Sequence, residues 1–100
     1  MKTLNKKHLK IINEILFEIK IAENYVSSSK RRSDLSLEDE IFARYKFWKA
    51  RVLSLELYEN YGISYFEEKY QESLVSEKEY LIGRMNAEHK DWKKAEQKVA

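Results

Sequence analysis

The amino-acid sequence predicts an all-α fold, a small antiparallel helical bundle of three to four helices. Three observations carry that prediction. The 100 residues contain no proline and only two glycines, so little in the chain forbids helix. Apolar residues recur at three- and four-residue spacing over long stretches, which is the pattern of helices that bury one face. Serine-led helix-start signals separate those stretches, whereas a sandwich or barrel needs a turn signal roughly every 8–12 residues. The length suits one hydrophobic core, so residues 1–100 are expected to form a single helical domain.

Helix one is expected over residues 4–28. Leu4, Ile11, Ile12, Ile15, Ile19, Ala22 and Val26 share one face, and Phe17, Ile21 and Tyr25 make a second, narrower stripe on the far side. Residues 27–36 read as a polar basic loop, with serines around Lys30, Arg31 and Arg32 and no hydrophobic period. Ser36 then stands as an N-cap. Glu38, Asp39 and Glu40 follow it at the positive end of the helix dipole, so helix two is expected over 37–60, with Gly62 closing it. Its main seam is Ile41, Tyr45, Trp48, Val52 and Leu55, widened by Phe42, Leu53 and Leu57, while Phe47 and Tyr58 lie nearly opposite. A helix apolar on so much of its circumference belongs at the centre of a bundle or between subunits.

Two capping boxes divide the last third. Ser64 with Glu67 predicts a helix over 65–74, and Ser76 with Glu79 predicts another over 77–98, where Val75 and Tyr80 would form a hydrophobic staple. An uninterrupted helix from Tyr65 onward is the alternative. Leu81, Met85 and Trp92 face inward, and Gly83 costs about 1 kcal/mol relative to alanine unless something packs closely there.

Composition narrows function more than any motif does. The charged fraction is 36% against 43% apolar, enough apolar residues for a core, so the chain is expected to fold rather than remain a charged coil. With 19 basic and 17 acidic side chains the net charge is +2, far from the excess that makes duplex binding a default reading. Residues 1–50 carry 11 basic and 7 acidic side chains, a surplus of +4, and residues 51–100 carry 8 and 10, a deficit of 2. Absence of cysteine removes disulfides, thiolate metal sites and cysteine nucleophiles, and fits a cytoplasmic location. Charges interrupt the first helix every few residues, so neither a leader peptide nor a membrane span is expected.

Catalytic and cofactor chemistry find no foothold. His8 and His89 have no second imidazole a helical turn away, and no glycine-rich loop exists to cradle phosphate. No catalytic residue, metal or cofactor is expected, and the chain is read as non-enzymatic. A helix-turn-helix centred on Gly62 fails in register, because Tyr58 is too large for the helices to cross and Glu68 occupies a position that should be apolar. The segment Arg44 to Arg51 interleaves basic and aromatic residues, as single-strand platforms do, yet helical geometry leaves only Arg44, Phe47, Arg51 and Tyr58 on one side.

The reading is therefore a small interaction protein, a regulator, inhibitor or assembly factor. It is expected to bind a protein partner and to self-associate, with a dimer favoured, because Phe17, Ile21, Tyr25, Arg44, Phe47, Arg51 and Tyr58 exceed what the seams require. The alternative is a nucleic-acid-binding accessory protein using Lys30, Arg31, Arg32, Arg44 and Arg51. A membrane-surface role for the lysines of helix one is a weaker third reading.

Overall fold

The computed structural model describes residues 5–30 and 36–99, and shows four helices and, among those residues, no strand. They are α1 (Lys6–Lys30), α2 (Leu37–Tyr61), α3 (Glu68–Ser76) and α4 (Lys78–Val99). The all-α bundle expected from the sequence is the fold observed.

Local signals explain where most elements begin and end. Asn5 caps α1, its side-chain oxygen accepting from the His8 amide at 2.9 Å. The helix then runs on to Lys30, so residues 27–30, expected to be loop, are helical; residues 31–35 of the expected loop lie outside the described residues. Serines lack an apolar period but do not terminate a helix, and no glycine or proline stops this one. Ser36 caps α2 as expected, accepting from the Asp39 amide at 3.1 Å, and Gly62 closes it at φ 68°, its N–H donating to the Tyr58 carbonyl at 2.9 Å.

The two boxes of the last third fail as caps. The Ser64 hydroxyl donates to the Phe66 carbonyl instead, and α3 begins three residues later than expected, at Glu68. Ser76 ends α3 rather than starting α4, its hydroxyl donating to the Ser73 carbonyl at 2.7 Å. The break between α3 and α4 is nevertheless where the sequence puts it, a single-residue turn at Glu77. Of the residues of the expected staple, Val75 packs into the core and Tyr80 rests edge-on against Trp48.

Packing turns on α2. One side of it meets α1, where Ala50 and Leu57 are sealed among Ile12, Ile15, Ile19 and Ala22, with Leu53 and Tyr61 at the edge. Its other side meets α3 and α4, where Leu55 joins Leu74 and Leu81, flanked by Trp48, Val52 and Phe66. Both neighbours run antiparallel to α2: Tyr25 at the end of α1 and Trp92 near the end of α4 meet the same ring, Phe42, near its start. Among the described residues no Cα of α1 comes within 8 Å of a Cα of α4, so α2 lies between them. The apolar surplus of the second helix is thus spent inside the bundle, since a central helix needs two buried faces.

A buried polar pair ties α3 to this core. Gln71 and Ser54 are both fully buried, and the Gln71 amide donates to the Ser54 hydroxyl at 3.2 Å while that hydroxyl donates to the Arg51 carbonyl at 2.7 Å. The Gln71 oxygen accepts from the Phe66 amide at 3.5 Å, which draws residues 62–67 across the end of α2 as irregular chain.

Candidate functional site

The segment joining α2 to α3 brings together aromatic residues that are distant in sequence. Phe66 lies on Arg51, whose guanidinium carbon stands 4.9 Å from the Phe66 ring centroid and 3.8 Å from that of Phe47. Phe47 in turn meets Trp48 edge-on at 5.1 Å, and Trp48 meets Tyr80 of α4 edge-on at 5.9 Å. At the other end Phe66 contacts Tyr65 at 5.0 Å and Tyr70 at 5.3 Å. The Arg84 guanidinium sits over Trp48 at 5.5 Å. These contacts form one ridge along the bundle, of rings with two guanidinium groups laid against them, built from α2, the 62–67 segment, α3 and α4.

Carboxylates fix the arginines. Arg51 has only 12% of its side chain exposed and is ion-paired with Glu23 of α1. Glu88 of α4 is buried, and it accepts from Arg84 while Arg44 Nε stands 3.4 Å from its second oxygen. Arg44 also approaches Glu40 at 3.8 Å. A stacked guanidinium that is also paired loses little freedom when a partner arrives, and each such cation–ring contact contributes about 0.5–2 kcal/mol depending on desolvation. The outer rings are presented to solvent: Tyr80 is 60% exposed, Tyr70 42% and Tyr65 36%.

The residues singled out in the sequence distribute over different places. Arg44, Phe47 and Arg51 belong to this ridge or to the ion pairs that support it. Tyr58 is half-buried two turns beyond Arg51 on the same helix. Phe17 and Ile21 lie on the face of α1 turned away from α2, 65% and 45% exposed, and Leu9 joins them at 46%. Tyr25 leaves that stripe and packs edge-on against Phe42 at 4.9 Å, inside the end of the bundle. Arg31 and Arg32, and the side chain of Lys30, lie outside the described residues.

Trp48, Tyr65, Phe66, Tyr70, Tyr80 and Arg84 were not expected at a site. Trp48 reads as seam, and it is half-buried there, but its indole also supports the ridge. Tyr80 reads as one half of a staple with Val75, and Tyr65 and Tyr70 read only as residues of the helix expected over 65–74, so nothing in the sequence places them beside Phe47 and Trp48.

The basic–aromatic run of α2 is divided by its helix. Lys46 and Lys49 project to the opposite flank, where Lys46 Nζ lies 5.1 Å over the Phe42 ring and Lys49 Nζ 5.7 Å over Tyr45. Neither forms an ion pair among the described residues. Burial holds the Lys46 ammonium below its ordinary pKa, the neighbouring Lys49 charge adds to the effect, and Glu18 opposes it.

Among the described residues no helix is long and apolar enough to cross a membrane, and no group of three histidines, aspartates or glutamates is placed to hold a metal ion. No protein-family model, curated protein or solved structure matches this chain.

Proposed function

We propose that this chain is a non-enzymatic interaction protein, a regulator, inhibitor or assembly factor, that binds a protein partner through the ridge running from Tyr80 to Tyr70. The observation that supports the reading is the continuity of that ridge, in which three exposed tyrosines flank arginines already held by carboxylates. Tyrosine, tryptophan and arginine are enriched among the residues that carry the energy of protein interfaces; the two rings offer a large contact area and a polar tip for few torsions, and arginine offers a planar group of fixed donors. Supporting Glu23 and Glu88 place the guanidinium groups before any partner arrives, which lowers the entropy lost on binding.

Nucleic acid binding is favoured less. Of the five residues that reading names, Arg44 and Arg51 each face a carboxylate, so their charge is largely spent within the chain, while Arg31, Arg32 and the side chain of Lys30 lie outside the described residues. Affinity capture from the native cell, with the unaltered chain beside a Tyr70→Ser/Tyr80→Ser variant, tests the proposal. Both positions are exposed, so the variant keeps its helical content. Proteins retained by the unaltered chain and lost from the variant are the expected result. An identical set from both, or nucleic acid recovered in place of protein, overturns it.

A further inference from the structure

We infer that Lys46 and Lys49, on the flank of α2 turned away from the ridge, form a site for a phosphate dianion, free or carried as a monoester. The site shares no residue with the ridge and does not rest on it. Three residues apart, the two lysines are neighbours on one helix face, with Cβ atoms about 5–6 Å apart. Both ammonium groups stand over a single ring, Lys46 Nζ 5.9 Å and Lys49 Nζ 5.7 Å from the Tyr45 centroid, and Lys46 Nζ is also 5.1 Å over Phe42. The ring cluster continues onto α4. Trp92 stacks on Tyr45 at 5.8 Å and carries the Lys93 ammonium 5.0 Å over its own ring, while His89 contacts Tyr45 at 4.9 Å.

Charge balance selects the ligand. Arg44, Arg51, Arg84 and Lys78 each meet a carboxylate within the chain. Lys46 and Lys49 meet none: among the described residues neither ammonium has an ion pair or a hydrogen bond. A ring face attracts an ammonium group from one side and leaves its N–H donors for water or an anion. Lys46 is half-buried, and its charged form is disfavoured by that burial and then by the Lys49 charge. Glu18 of α1 offsets only part of this. An anion set between the two ammonium groups opposes both effects at once. A carboxylate, with one charge, balances one lysine. A phosphate monoester carries about −1.5 to −2 at neutral pH and three acceptor oxygens, enough to bridge the pair. Lysine serves phosphate as a point charge and needs no arginine fork to do so. The half-buried rings of Tyr45 and Trp92 give an organic body on the ester a surface to lie against.

Titration of the isotope-labelled full chain with sodium phosphate at neutral pH, with chloride holding the ionic strength constant, tests the site through the lysine ε-methylene signals. Saturable shifts at Lys46 and Lys49 are expected, with none at Lys20 and Lys69, which are exposed on α1 and α3. Lys46→Met and Lys49→Met should each weaken binding about tenfold, and the double variant should abolish it. Methionine retains an apolar stem, so an undiminished urea midpoint separates loss of the site from loss of the fold. Bound phosphate should also move the Lys46 titration upward, toward the ordinary lysine value of 10.5, which a merely structural lysine would not show. Shifts that grow without saturation, or that are equal at Lys20 and Lys69, overturn the inference. An equal response to acetate overturns the choice of a dianion. Two further probes identify the source. Phenyl phosphate bound more tightly than inorganic phosphate assigns a soluble ester, and co-sedimentation with phosphatidic acid vesicles that the double variant loses assigns a lipid headgroup. Weaker binding of phenyl phosphate with no co-sedimentation assigns inorganic phosphate itself.

Discussion

Gln71 is the residue through which the core holds the ridge, and replacing it separates its hydrogen bonds from its volume. Gln71→Ala removes a fully buried side chain, its 3.2 Å bond to Ser54 and its longer 3.5 Å bond from the Phe66 amide. The first bond is worth about 1 kcal/mol and the second only a fraction of that, being beyond the usual range. The vacated volume adds about 1–2 kcal/mol, which makes the expected loss about 2–3 kcal/mol. Gln71→Met keeps the volume. Ser54 still donates to the Arg51 carbonyl, so only an accepted bond is lost there, and the expected cost falls to about 1 kcal/mol. With a urea slope of about 1–3 kcal/mol per molar, the alanine variant should shift the midpoint by roughly 1–2 M and the methionine variant by less than half as much. Amide exchange at Phe66 should accelerate in both, because its acceptor is gone. Equal midpoints for the two variants, or unchanged exchange at Phe66, would refute the claim that this amide positions the 62–67 segment.

Other expectations concern the backbone and one partly buried cation. Gly62→Ala should cost about 1–2 kcal/mol in thermal or urea unfolding, because Gly62 sits at φ 68° and no atom crowds a new Cβ, which leaves backbone strain as the cause. Gly83→Ala should instead stabilise by about 1 kcal/mol, since Gly83 lies within α4 with open space beside it. Lys46→Met should be more stable than the unaltered chain at neutral pH. The folded state binds the Lys46 proton less tightly than the unfolded state does, so the stability of the unaltered chain rises with pH just below the ordinary lysine value of 10.5, and the advantage of Lys46→Met narrows over the same window. Urea midpoints of both proteins at neutral pH and above 10.5 check the sign.

Much of the fold was legible because helix periodicity reports directly on burial. The inward face of α1, with Ile12, Ile15, Ile19 and Ala22, follows from spacing alone, as do the cap at Ser36 and the stop at Gly62. Periodicity does not report which neighbour covers a face. Leu57 and Leu55 are both apolar positions of α2, yet one is sealed against α1 and the other against α3 and α4. Tyr25 shares a helical stripe with Phe17 and Ile21, but it lies level with Phe42 in the antiparallel pair and is drawn into a ring contact that its own helix gives no hint of. Ser64 has the spacing of a cap, and a more distant residue, Gln71, competes for the same stretch of backbone. The candidate ridge was half legible for the same reason: Arg44, Phe47 and Arg51 share a side of one helix, whereas Tyr65, Phe66, Tyr70 and Tyr80 reach that side only through tertiary structure.

The central claim is that apolar and aromatic surplus divides into a buried share on α2 and two open faces, one on α1 and one along the ridge. Residue-resolved oxidative footprinting of the dilute chain tests it most directly. Corrected for intrinsic reactivity, Phe17 and Tyr80, 65% and 60% exposed, should be modified fastest, and Phe42, enclosed by Tyr25 and Trp92, among the slowest rings. Modification of Phe42 as fast as Phe17, or slow modification of Phe17 and Tyr80 at dilution, would contradict the division.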